Sequence, residues 1–246
     1  LSFATALQAV DELVEARQGG YVVTPNVDHV CLAETSLELR DAYFAANLSL
    51  ADGMPLIWLA RLMKTPLPEK ISGSDLLLPL LERAAHRGWG VYFLGGMPGI
   101  GEAAADKLRS QIPGLNIVGT LSPPLGFERD PAQNSSVLQA IAAARPQLLM
   151  VALGCPKQEL WMHQHAAHFA PAVAFGIGAT LDFVAGKVRR APSWMSQAGL
   201  EWVYRLAQEP RRMASRYLVR DRAILRIALR MLSLPQKQRV IEASKP

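Results

Sequence analysis

Short apolar runs, four to seven residues long, alternate through most of the chain with stretches whose apolar positions recur at helical spacing. The runs at 21–24, 48–51, 90–94, 116–119, 147–153 and 172–177 predict strands, because each is short, apolar and bounded by turn-forming or polar residues. The clearest helix between them covers 73–86, where Leu76, Leu77, Leu80, Leu81 and Ala84 mark one apolar face. Strand and helix in alternation argue for an α/β fold, a parallel sheet covered by helices. From Ser193 onward no further strand is predicted, and two helical stretches follow, separated by "EPRR" at 209–212. Proline suits the first turn of a helix and not its interior, so Pro210 starts the second stretch. The chain thus divides into an α/β domain over 1–192 and a helical appendage over 193–246.

In an open parallel sheet, ligands gather beyond the carboxyl ends of the strands. Four strand exits here carry unusual polar sequence, "VVTPNVDH", "SLADGMP", "YFLGGMPGIG" and "ALGCPKQE", and they converge on one rim. In "LGGMPGIGEAA", Gly95 and Gly96 open either a tight turn into a helix or a loop whose backbone N–H groups meet a nucleotide. The dinucleotide fingerprint is absent: Met97 or Pro98 stands where its second glycine belongs, and no acidic residue follows ~20 positions on. Asp52, in "ADG", reads either as a turn residue and helix cap or as a general base within reach of a hydroxyl bound in the crevice. Thr24 and Asn26 either cap the following helix or hydrogen-bond a ligand.

Composition and charge narrow these readings. The chain has 246 residues, 50% hydrophobic and 19% charged, an ordinary globular balance that allows a sizeable core. Its longest apolar runs, such as 148–153, fall far short of the ~20 residues of a membrane-spanning helix. Cys31 and Cys155 are far apart and lack metal-ligand spacing, which suits a reducing compartment and predicts a cytosolic location. The net charge of +5 is unevenly spread: eight arginines between 205 and 230, against Glu209 and Asp221, give that segment +6 and leave the rest near −1. With 210–232 read as one helix, a wheel sets Arg212, Arg216, Arg226 and Arg230 opposite Tyr217, Leu225, Ala228 and Leu232. Such a face is either solvated or laid on anionic lipid. Nucleic acid fits less well, since no aromatic platform accompanies the arginines. His163, His165 and His168 scatter around a helix and predict solvated positions rather than a metal site. No Asp-x-Asp occurs to hold a divalent metal against a diphosphate.

Seven segments in order, "TPNVDHV", "ADGMP", "KISGSDL", "FLGGMPGIGEAA", "LGCPKQE", "GIGATLDFVAGKVRRAPSWMSQAGLEWVYRL" and "EPRRMASRYL", resemble the WecG/TagA/CpsF family of bacterial glycosyltransferases, glycosyltransferase family 26. The likeness runs over roughly residues 21–218. It implies a Rossmann-like α/β domain with a C-terminal helical appendage. It also implies inverting, metal-independent transfer of a sugar from a UDP donor to a polyprenyl-diphosphate-linked saccharide in cell-surface polysaccharide biosynthesis. The sugar would be of N-acetylmannosamine type, or glucose or a uronic acid, and no cofactor is implied. The enzyme would sit peripherally on the inner face of the cytoplasmic membrane. Its appendage would meet the anionic surface and complete the active site, with no nucleic-acid partner.

By matched position the resemblance makes Asp52 the base and sets Thr24, Asn26 and Gln158 along the pocket. Gly154 would let backbone and Gln158 approach a sugar, with Lys157 meeting phosphate or capping the rim. Gly95, Gly96 and Lys70 complete the implied substrate-binding set. Lys70 stands where the family usually has arginine before "GSD", which keeps the charge and loses the bidentate fork. The loop "SPPLGFERD" lacks the tyrosine commonly found beside Gly126 and Phe127, a departure that bears on sugar choice. Arg205, Arg211, Arg212 and Arg216 are the candidates for stabilising the departing diphosphate, because guanidinium binds phosphate bidentately and keeps its charge. Two rival classes differ in testable ways. A nicotinamide oxidoreductase needs the missing fingerprint, and a non-catalytic nucleotide- or anionic-lipid-binding protein would share the tail and glycine loop without turnover.

Overall fold

The computed structural model describes residues 1–189, 191, 192, 194, 195, 199–215, 217 and 221–234, without the side chains of 212 and 215. The elements run α1 (Phe3–Ala16), β1 (Gly20–Val23), α2 (Val27–Ala33), α3 (Leu37–Phe44), β2 (Leu48–Ser49), α4 (Met54–Leu62) and α5 (Gly73–Arg87). They continue with β3 (Gly90–Gly95), α6 (Ile100–Gln111), β4 (Asn116–Leu121), a 3₁₀ turn (Phe127–Arg129), α7 (Pro131–Ala144), β5 (Leu148–Ala152), α8 (Lys157–Phe169), β6 (Val173–Gly176) and α9 (Thr180–Ala185). After residue 193, in the expected appendage, come α10 (Glu201–Gln208), α11 (Pro210–Ser215) and α12 (Ala223–Ser233).

All six strands join one parallel sheet in the order β2-β1-β6-β5-β3-β4. Side chains alternate across a strand, so each strand serves two cores. Val22, Val91, Phe93, Leu148, Met150, Val173 and Phe175 meet α1, α5, α6 and α9 on one face. Tyr21, Val23, Tyr92, Leu94, Leu149, Val151 and Ala174 meet α7 and α8 on the other. Burial on both faces explains why β3 and β5 read as unbroken apolar runs. The structure is therefore the Rossmann-like α/β arrangement that the alternation of elements predicts.

The predicted helix at 73–86 is α5, started by Ser72, whose hydroxyl accepts from the Asp75 N–H at 3.1 Å, and closed by Gly88 in the left-handed region. The second terminal stretch differs from expectation. Residues 210–232 are not one helix: α11 ends at Ser215 and α12 begins at Ala223, after a turn at Asp221 and Arg222. Asp221 is buried there, its carbonyl 3.7 Å from the Cys31 thiol, and α12 lies against α2 with Arg230 paired to Glu34 at 3.0 Å. Arg216 lies outside the described residues. On α12, Leu225 and Leu229 are exposed along with Arg226 and Arg230, so neither side of this helix is sealed into a core. No helix among the described residues is long and apolar enough to cross a membrane.

Candidate active site

After β1 the chain passes to α2 and α3, which lie with α8 on one face of the sheet. After β6 it passes to α9, which lies with α5 and α6 on the other. β1 and β6 are neighbours, so a crevice opens between their carboxyl ends, where diverging connections leave room for a ligand. It holds a cavity of about 370 Å³ lined in part by Thr24, Asn26, Asp52, Gly154, Gln158 and Arg205.

Local bonding fixes these residues. The Asp52 N–H donates to Pro25 O at 2.8 Å and the Ile71 N–H to Ala51 O at 2.9 Å, which ties three connecting segments together at the rim. Asn26 caps α2, its Oδ1 accepting from the N–H groups of Asp28 and His29 at 3.0 and 3.4 Å, and it also lines the cavity. The capping reading of Asn26 is therefore met, and the residue also stands at the cavity wall. Thr24 Oγ1 reaches Gly176 O at 3.5 Å. Gln158 is buried; its Oε1 accepts from the Gly178 N–H at 3.1 Å and its Nε2 donates to Glu159 at 2.8 Å. Residue 176 must be glycine for this packing, since a Cβ there would lie 2.8 Å from Gln158 Nε2.

Among the carboxylates lining the crevice, Asp52 has a raised pKa. Burial pushes its carboxyl up to about 6, and Glu201 and Asp75 push it further while Lys70 and Arg205 pull it back. Lys70 is itself paired with Asp75 at 2.8 Å. Arg205 comes from α10, and Glu201 Oε1 holds its Nε at 3.0 Å and its Nη2 at 2.5 Å. The guanidinium lies 5.7 Å from the centre of the Phe183 ring. Burial opposes its charge, but Glu201, Asp52 and Tyr217 hold its pKa above the ordinary value.

Two further cavities flank the first. One of about 400 Å³ shares Asn26, Asp52 and Arg205 with it and presents apolar walls from Met54, Pro55, Trp202 and Ile224. Asp52 and Arg205 thus stand on a wall between a polar cavity and an apolar one. The other, about 270 Å³, lies beside Gly95, Gly96, Phe127, Gly154 and Lys157. Lys157 is paired there with Glu128 at 3.2 Å. Gly95 has φ 101°, and a Cβ on it would lie 2.5 Å from Ala152 O, so the turn reading of the glycine loop has a steric basis; the loop also borders a cavity.

The crevice brings together Thr24, Asn26, Asp52, Lys70, Gly154, Gln158 and Arg205, and sets Gly95, Gly96 and Lys157 along its flank. Arg211 is exposed and lines none of these cavities; the Arg212 side chain and Arg216 lie outside the described residues. Several participants carried no sequence signal. Glu201 is one. Another is a polar cluster at the cavity floor: His29, Cys155 and Glu159, with Tyr43 Oη 2.8 Å from His29 Nδ1. Burial raises the Cys155 thiol, with Glu159 adding to the shift, and burial raises Glu159. These three offer metal-ligating atoms, but they supply no carboxylate pair for a diphosphate-bound metal. The histidines of α8 correct an expectation. His163 Nδ1 lies 3.0 Å from Tyr21 Oη and His165 Nε2 lies 3.0 Å from Asn134 Nδ2, so both are partly buried bonding partners, and only His168 is solvated.

A relative from Bacillus spizizenii (strain ATCC 23059 / NRRL B-14472 / W23), an N-acetylglucosaminyldiphosphoundecaprenol N-acetyl-beta-D-mannosaminyltransferase, is 31% identical over 211 residues, 86% of this chain and 79% of its own. The enzyme of the same name from Bacillus subtilis (strain 168) is 31% identical over 197 residues, 80% of this chain and 75% of its own. The family model for "Glycosyl transferase WecG/TagA/CpsF family" matches residues 1–239, which takes in every described strand, the crevice and α10, α11 and α12. With a match of that extent and a crevice built from the resembling segments, the chain belongs to the WecG/TagA/CpsF family of glycosyltransferases.

Proposed function

We propose that the protein is an inverting glycosyltransferase that moves a sugar of N-acetylmannosamine type from a UDP donor to a polyprenyl-diphosphate-linked N-acetylglucosamine. The acceptor and the transferred sugar follow the relatives' printed names, and the UDP donor is what the family resemblance implies. One observation carries the mechanism: Asp52, its carboxyl raised to about 6, stands beside Arg205 where a polar and an apolar cavity meet. A carboxylate with that affinity for protons is a competent base at neutral pH. The acceptor hydroxyl, approaching from the apolar side, attacks the anomeric carbon. Asp52 takes the hydroxyl proton as the new C–O bond forms, and the bond to UDP breaks with its electron pair on the diphosphate. Arg205 meets that developing charge in a partly desolvated setting, where a guanidinium is worth far more than in water. Fixed positive charge there, with no Asp-x-Asp in the chain, supports transfer without magnesium or manganese.

The appendage has two tasks in this reading. α10 delivers Arg205 to the reacting groups, and exposed Trp194, Trp202, Leu225 and Leu229, with exposed Arg211, Arg222 and Arg226, present a surface suited to anionic lipid at the inner face of the cytoplasmic membrane. The decisive experiment incubates the protein with a panel of UDP-sugars and a short-chain lipid-diphosphate N-acetylglucosamine, without added divalent metal, and weighs the product by mass spectrometry. A product heavier by one N-acetylhexosamine is expected. No product with any donor would leave a binding protein, and transfer only after magnesium or manganese is added would remove Arg205 as the sole charge on the leaving group.

A further inference from the structure

Below the central cavity, donor atoms of metal-ligating type converge from two separate elements. His29 lies in the first turn of α2, Cys155 just precedes α8, and Glu159 lies in the first turn of α8. One donor atom from each lies within 4.8 Å of the other two, and His29 Nδ1 is 4.0 Å from Glu159 Oε1. Tetrahedral zinc, with bonds of about 2.0–2.3 Å, holds its donors roughly 3.5 Å apart, so side-chain rotations of about 1 Å close the site.

Charge supplies the second argument. Glu159 is fully buried, and its Oε2 has no hydrogen-bond partner among the described residues. No lysine or arginine among them pairs with it; the nearby Lys157 is taken by Glu128. A buried carboxylate is costly unless a cation or a full set of donors compensates it. A thiolate, an imidazole and a carboxylate form a set that favours zinc and disfavours magnesium, which seeks oxygen alone. Tyr43 Oη, 2.8 Å from His29 Nδ1 and close to Cys155, gives up that nitrogen when the ion binds. His29 and Cys155 line the central cavity, which gives an ion a way in from solvent.

We propose that His29, Cys155 and Glu159 bind one zinc ion that clasps α2 to the start of α8. The displacement at Asp52 does not run through this ion. Its role is to hold the floor on which Asn26 and Gln158 are mounted, since those two residues belong to the same two helix starts.

Cobalt(II) tests the site, because thiolate ligation gives it a near-ultraviolet sulfur-to-metal charge-transfer band. The purified chain is stripped with chelator, dialysed and titrated with cobalt, then with zinc. Saturation at one ion per chain is expected, with displacement by one equivalent of zinc and a higher Tm in zinc than without it. Cys155→Ser should abolish the charge-transfer band. Glu159→Gln should weaken zinc at least roughly tenfold, the loss that even an outer partner causes. Cys31→Ser, which alters the other thiol, should retain band and affinity. A wild-type chain with no charge-transfer band, a band that survives Cys155→Ser, or unchanged affinity in Glu159→Gln would each overturn the proposal and leave a hydrogen-bonded polar network. The wild-type titration decides on its own, so a variant that fails to fold does not shelter the idea.

Discussion

As the proposed base, Asp52 must be ionised to take a proton, yet it sits where ionisation is unfavourable. Its carboxyl titrates near 6 in the folded chain because burial and Glu201 oppose the charge more than Lys70 and Arg205 favour it. Below pH 6 the base is protonated, so kcat/KM should rise with pH through about 6 and level off above it. Asp52→Asn keeps the shape and removes the basicity; transfer should fall by about 10²–10⁴-fold, with the affinity for UDP unchanged. Stability should move the other way. A carboxyl raised from 3.8 to about 6 on folding costs stability fully above 6, and the cost fades as pH falls toward 4. The variant should therefore melt higher than wild type at pH 8 and equally at pH 4 in calorimetry, while a residual turnover above a few per cent would make Asp52 a turn residue. At this scale the sequence was half legible. "ADG" at a strand exit marks Asp52 as a candidate, but the groups that tune it include Glu201, brought beside it only by folding. Glu159 had no reading of its own in the sequence, and its full burial depends on packing that no local pattern encodes.

In the proposed mechanism, α10 supplies the charged partners of this carboxylate. Glu201 and Arg205 are four residues apart, one helical turn, so the glutamate holds the guanidinium from the same helix face. Glu201→Gln removes a negative charge that raises Asp52, and it leaves Arg205 less compensated; both changes lower the pKa of Asp52. The acid limb of the kcat/KM profile should therefore shift to lower pH while the plateau falls, and an unmoved limb would assign Glu201 a purely structural part. Arg205→Ala removes the leaving-group charge and should reduce kcat by about 10²–10³-fold. Arg205→Lys should recover only part of it, since the fork is lost; full recovery would show that point charge suffices. Element boundaries divided by physical cause. α5 and the inner strands follow from periodicity and caps, because their burial is regular. The break between α11 and α12 did not, since neither proline nor glycine occurs in 216–222 and the turn is stabilised by the burial of Asp221 against α2.

Among the described residues, the two hydrophobic clusters include none beyond Ala185, although Ala191 and Met213 are buried. The appendage instead attaches through Arg205 beside Asp52, the Asp221 contact with Cys31, the Arg230–Glu34 pair, and Trp58, which would lie 2.6 Å from a Cβ on Gly199. Cutting the chain before Ser193 should therefore leave a folded, soluble α/β domain with cooperative unfolding. It should lose vesicle binding and most transfer together, because the appendage carries both Arg205 and the exposed arginines and tryptophans proposed to meet lipid. Salt separates the two losses. Attraction between exposed arginines and anionic lipid is screened beyond a Debye length of ~8 Å at physiological ionic strength, whereas the partly buried Arg205 is screened much less. For the intact chain, raising salt should release it from vesicles of anionic phospholipid while turnover on a water-soluble acceptor holds nearly constant. The truncated chain should be slow on that acceptor at every salt concentration, and full activity there would deny α10 its part in the chemistry and leave the appendage as an anchor alone.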